Sequence, residues 1–215
     1  AAVAAVAAVL LALLLAYGLR RTRSTAVTVA ARLAGMGYAV PGTVIAIGTL
    51  IPLAAFDNAL DGWMRATFGV STGLLLTGSI AALVFAYLVR FLSVSLSTVE
   101  ASLGKVRPSL DEAARTLGSG PGATLWRVHA PLVWTGVLTA LLLVFVDVLK
   151  ELPATLLLRP FNFDTLAVQA ANFAADERLA EAAFPALAIV AVGILPVLVL
   201  SRAIARARPG GAATG

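Results

Sequence analysis

The sequence predicts an all-α integral membrane protein, a polytopic helical bundle of about five spans. Three observations carry that reading. Of 215 residues, 60% are hydrophobic and 13% charged, and the mean hydropathy is +0.96; soluble domains lie nearer half apolar and a quarter charged. The polar residues fall in short islands between long apolar runs. Those runs approach the ~20 residues that a helix rising ~1.5 Å per residue needs to cross hydrocarbon.

The runs cover roughly residues 1–19, 37–56, 72–92, 128–149 and 184–201. The second holds Pro41 and Pro52 and the last holds Pro196, breaks that a membrane helix tolerates when neighbouring helices re-satisfy the freed carbonyls. Lys and Arg set the orientation. With Arg20 facing the cytoplasm, twelve basic residues lie inside: Arg20, Arg21, Arg23, Arg32, Arg90, Lys105, Arg107, Arg115, Arg127, Arg202, Arg206 and Arg208. Four lie outside: Arg65, Lys150, Arg159 and Arg178. The excess predicts an N-terminus outside, a C-terminus in the cytoplasm, and a cytoplasmic loop over residues 93–127. Residues 1–207 are thus expected to be one transmembrane unit, with an outside segment over 150–183 and a disordered small-residue tail over 208–215.

The net charge of +5 is therefore read as membrane topology and not as a nucleic-acid footprint. With no cysteine, the chain has no disulfide, thiolate metal site or cysteine nucleophile.

The loop between the third and fourth runs carries the most informative pattern. Glu112-Ala113-Ala114 is followed by three residues, Gly118, nine residues, and Val128-His129-Ala130-Pro131. Pro108 and Ser109 suggest a helix entry with Ser109 as cap, and Asp111 and Glu112 fall in its positive first turn. Ala113, Ala114 and Leu117 form a small apolar face, Gly118 stops the helix or turns left-handed, and a second helix begins near Ala123. A short helix with small side chains and one carboxylate suits docking in a partner's groove. A second Glu-Ala-Ala, at 181–183, lacks the glycine and falls outside in this topology, so the tripeptide alone carries no weight.

That spacing resembles the E-A-A-x3-G-x9-I-x-L-P signature of ABC importer permeases, with Val128 for Ile and Ala130 for Leu. The resemblance implies a membrane permease worked by a separate ATPase dimer gripping Glu112, Ala113, Ala114, Leu117, Gly118 and Pro131. Residues 150–167 and 176–183, within a similarity running from about residue 38 to 204, look like the second half of iron(III) permeases. That implies a periplasmic solute-binding protein, a bacterial inner-membrane location, and a second permease half. The chain starts at Ala1 within an apolar run and is accordingly expected to be the C-terminal part of a longer permease, its other half coming from a missing N-terminal part or a second copy.

Iron(III) is the first substrate choice; related permeases for thiamine, polyamines, phosphonates, sulfate and molybdate share the architecture. No set of His, Cys, Tyr or carboxylates would cage a metal, so no metal or cofactor is expected, and His129 reads as an interfacial spacer. At the end of the fourth run Asp147, Lys150 and Glu151 have two readings. The carboxylates, four apart on one face, line or gate the outer mouth. Alternatively they are a structural ion pair with Lys150 or Arg159, the reading with more weight.

A secondary transporter would need coupling charges near mid-membrane, and the predicted spans are almost free of them. An enzyme would need a catalytic constellation or a phosphate loop, and neither is present. A plain membrane scaffold gives no reason for the loop spacing.

Overall fold

A computed structural model describes residues 1–21 and 24–206, so the predicted tail at 208–215 lies outside the described residues. The chain folds as α1 (Ala2–Arg21), α2 (Thr25–Ala34), α3 (Gly42–Phe68), α4 (Ile80–Leu103), α5 (Pro108–Thr116), α6 (Pro121–Thr124), a π-helical turn (Leu125–His129), α7 (Ala130–Leu149), α8 (Pro153–Leu158), α9 (Leu166–Ala175) and α10 (Leu179–Arg206). Among the described residues, five stretches are helical, long and apolar enough to cross a bilayer: α1, α3, α4, the run from α6 through α7, and α10.

The second and third spans are the most displaced from the apolar runs. α3 starts at Gly42, after Pro41, and continues to Phe68 through Asp57 and Asp61. Those carboxylates are compatible with the helix because both accept backbone N–H groups from the following loop. Fully buried Asp57 accepts from Leu76 and Thr77, at 3.1 and 2.7 Å. Asp61 accepts from Thr72, Gly73 and Ser71 Oγ at 2.8 to 3.0 Å, and from Arg65 Nε at 2.7 Å. Residues 69–79 are therefore a loop stitched to α3, and the next span begins only at Ile80. There Ser79 Oγ caps α4 by accepting from the N–H of Ala82 at 3.2 Å.

α1, α4 and α7 pack together at the centre, and small residues allow it. Ala5, Ala8, Ala12 and Ala16 form one buried face of α1, while Val3, Leu10 and Leu14 stay exposed on the other. Ser95 Oγ of α4 donates within its own helix to Leu92 O at 2.9 Å and lies 3.1 Å from Ala8 O across the interface. Helices in lipid associate through such close packing and side-chain hydrogen bonds, since the tails are as apolar as the core. α4 and α7 touch at Gly136, where any added Cβ would overlap Ser102 Oγ. α10 leans on α9 and α7 and leaves Phe184, Leu187 and Leu195 exposed.

Candidate functional site

α5 and its flanking turns form a projecting element at the end of the bundle where α1 and α4 finish. Pro108 occupies the first turn, with Arg107 as the extended cap residue. Ser109 is therefore inside the helix and not its cap: proline's fixed φ and missing N–H suit the first helical position. The helix ends on Gly118, whose φ of 76° lies in the left-handed region. The N–H of Ser119 reaches Ala114 O at 2.9 Å and that of Gly118 reaches Arg115 O at 3.0 Å. This is the paired bonding of a Schellman stop, which satisfies carbonyls that would otherwise be orphaned.

The expected apolar face is divided. Ala114 is turned inward and buried, whereas Glu112 and Ala113 are exposed and Leu117 is 84% exposed. Of the predicted face, the carboxylate of Glu112, the methyl of Ala113 and the side chain of Leu117 are thus turned outward.

Beyond α6 the helix widens into a π turn, closed by the N–H of Ala130 on Leu125 O. Pro131 accounts for it: the ring has no N–H for Arg127 O and would clash with that carbonyl in an α-helix. Pro131 itself is exposed at the start of α7.

The end of α1 holds both arms of this element, which the sequence reading did not find. Arg20 donates from Nη1 to Leu103 O at 2.8 Å and from Nη2 to Val106 O at 2.9 Å, placing positive charge on the C-terminus of α4. Tyr17 packs edge-on against the His129 ring, 5.6 Å between centroids, and His129 is 1% exposed. His129 is therefore enclosed by the protein at the start of α7. The only sequence signal was position: Tyr17 and Arg20 sit one turn apart at the end of the first apolar run.

At the other end of α7 the predicted cluster separates. α7 stops at Leu149, so Asp147 and Glu151 do not share a helix face. Asp147 pairs with exposed Lys150 at 2.9 Å and, by hydrogen bond and charge, holds that ammonium above the usual lysine range. Glu151, only 7% exposed, turns inward to Arg90 of α4, with Oε2 3.2 Å from Nε. That contact is off the hydrogen-bonding axis and acts through charge. Glu151 Oε1 accepts from Ala154 N–H at 3.2 Å, and Arg90 Nη1 donates to Val40 O at 2.6 Å. Neither Lys150 nor Arg159 is the partner of Glu151; Arg159 bonds Asp164 instead.

Two sequence expectations change as a result. Arg90 lies ten residues, roughly 15 Å of helix, from the start of α4. It falls in the middle of a helix long enough to cross a membrane and not in a loop, and that helix is not free of charge. After the turn that follows α7, α8 packs on α3 and α4, with Tyr87 OH 2.6 Å from buried Thr155 Oγ1. Among the described residues no three His, Cys, Asp or Glu side chains converge on a metal-sized site.

Five helices long and apolar enough to cross a bilayer, with a short exposed helix between the third and fourth, are the architecture of a multi-pass membrane protein. Residues 7–208 match the family described as binding-protein-dependent transport system inner membrane component, and the chain belongs to that family. It is a multi-pass membrane component and not itself a catalytic subunit. It is also 29% identical over 194 residues to "Fe(3+)-transport system permease protein FbpB 2" of Haemophilus influenzae (strain ATCC 51907 / DSM 11121 / KW20 / Rd), covering 90% of this chain and 35% of that protein. The chain thus spans about a third of the length of this curated relative.

Proposed function

We propose that this chain is part of the membrane channel of an ATP-driven importer, in which α5 docks on a cytoplasmic ATPase dimer and passes its movement to the spans. The observation that carries this reading is α5 itself. It is short, exposed at Glu112, Ala113 and Leu117, stopped by left-handed Gly118, and fixed at its base to α1 by Arg20. A lever must be free on the partner's side and rigid on its own. The α5 end is cytoplasmic in this proposal: with Arg90 removed from the count, eleven basic residues remain inside against four outside. A periplasmic binding protein delivers solute to the opposite end. A second permease half, in the same polypeptide or a second copy, completes the channel.

Iron(III) is the proposed solute, supported by the likeness to the Haemophilus permease; thiamine, polyamines, phosphonates, sulfate and molybdate are the alternatives. The test is ATP hydrolysis by the ATPase when the intact permease is reconstituted with it and the binding protein in liposomes. Stimulation by iron-loaded but not empty binding protein is the expected result. Stimulation only by another loaded solute would discard iron and keep the importer.

A further inference from the structure

Six polar side chains line a groove of about 460 Å³ between α4 and α7. Ser97, Thr98, Ser102 and Lys105 come from α4 and the turn after it, and Thr135 and Thr139 from α7. Positions 97, 98, 102 and 105 repeat at helical spacing, so they form one continuous stripe along roughly 12 Å of α4 and its exit turn. All but Lys105 lie inside the two spans. A face turned to lipid selects apolar residues, and five hydroxyls clustered within the two spans are a poor match for hydrocarbon. Closure within the bundle does not explain it either, because Ser97 and Lys105 are exposed.

The hydrogen bonds define what the groove offers. Ser97 Oγ and Thr98 Oγ1 both donate to Val94 O, at 3.1 and 2.7 Å, and Thr139 Oγ1 donates to Thr135 O at 2.8 Å. Their protons are used within their own helices, leaving oxygen lone pairs towards the groove. Ser102 and Thr135 hydroxyls and the Lys105 ammonium supply donors. No carboxylate lines the groove. A bare trivalent cation would meet no counter-charge there and would be repelled by Lys105.

We infer that the α4–α7 groove lines the solute path on the α5 side of the membrane, and that it takes an oxygen-rich solute of zero or negative net charge. The inference rests on the importer reading. If iron is the cargo, it crosses this stretch together with anionic oxygen ligands and not as a naked ion.

Because this stretch of chain has no cysteine, introduced thiols report cleanly once labelling is assigned by peptide mapping. Ser97→Cys, Ala101→Cys and Thr139→Cys would be made in the full-length permease reconstituted with its ATPase and binding protein, with Ile194→Cys on exposed α10 as the lipid-facing control. Two small methanethiosulfonates would be compared, one bearing a sulfonate and one a quaternary ammonium. The expected result is labelling of the groove positions at least tenfold faster than the control, with the sulfonate faster than the ammonium. Lys105→Gln should erase that preference, and ATP with loaded binding protein should slow labelling at least threefold. Failure of both reagents at all three groove positions, or an ammonium preference with Lys105 intact, would overturn the inference. Rates unmoved by turnover would overturn the path assignment. Labelling does not require the ATPase to sit on α5, so loss of ATPase docking with the groove pattern intact would instead remove the coupling proposal.

Discussion

Glu151→Ala should be among the most damaging single substitutions in the described chain. It deletes the partner of Arg90, whose side chain is only 19% exposed, and the acceptor for the Ala154 N–H. Removing one member of a buried ion pair costs about 3–5 kcal/mol, chiefly because the surviving charge stays desolvated. Arg90 keeps its bond to Val40 O, so the lower end, about 3 kcal/mol, applies here. At ~2–4 °C per kcal/mol for a domain of this size, the unfolding midpoint in detergent should fall by roughly 6–12 °C. Gly42→Ala should act through the same pair, because its Cβ would stand 2.5 Å from Glu151 Oε1. Arg90→Met with Glu151→Leu removes both charges and should recover most of the loss, as replacing a buried pair by apolar groups is often neutral. The measurement is the melting midpoint of Glu151→Ala beside a thermal-melt cycle over Arg90→Met, Glu151→Leu and their double. A Glu151→Ala midpoint within about 2 °C of the parent, or strictly additive losses in the double, would refute the pairing argument.

Glu112→Lys and Gly118→Leu should leave the melting midpoint within a few degrees of the parent, because a Cβ at Gly118 meets no neighbour and the left-handed strain is only ~1–2 kcal/mol. Both should abolish co-purification of the ATPase, and normal co-purification of both variants would sink the docking role of α5. Arg20→Ala removes two charge-assisted bonds of ~1.5–3 kcal/mol each at most. It should leave the ATPase bound while cutting solute-stimulated hydrolysis severalfold, and unchanged stimulation would show that the α1 clamp transmits nothing. Asp147→Asn keeps the side chain's shape and breaks a pair whose Lys150 end is exposed, worth ~0–1 kcal/mol, so stability should hardly move. Transport per folded molecule should then fall if Asp147 lines the channel, and unchanged transport would leave it a local pair with Lys150.

Hydropathy was enough to find the five spans, because a run of ~20 apolar residues has few other uses. It misjudged boundaries where polar side chains are satisfied by the backbone. Asp57 and Asp61 read as the end of a span yet lie within α3, since the loop that returns past them supplies their hydrogen bonds. The Gly118 turn was legible because few residues but glycine adopt that φ readily. The partner of Glu151 was not: Arg90 is 61 positions away, and nothing in the local pattern distinguishes it from a residue at the membrane edge. Tyr17 and Arg20 were hidden for the same reason, their contacts being made across the bundle to Leu103, Val106 and His129.

The proposed import mechanism requires the ATPase to touch α5. A photo-crosslinking residue at Leu117, 84% exposed beside Gly118, should trap the ATPase in intact membranes, and the same residue at Phe161, 96% exposed in the segment between α8 and α9, should not. Crosslinks from position 117 alone would support both the docking role of α5 and the proposed orientation. An ATPase crosslink from position 161, with none from 117, would contradict both.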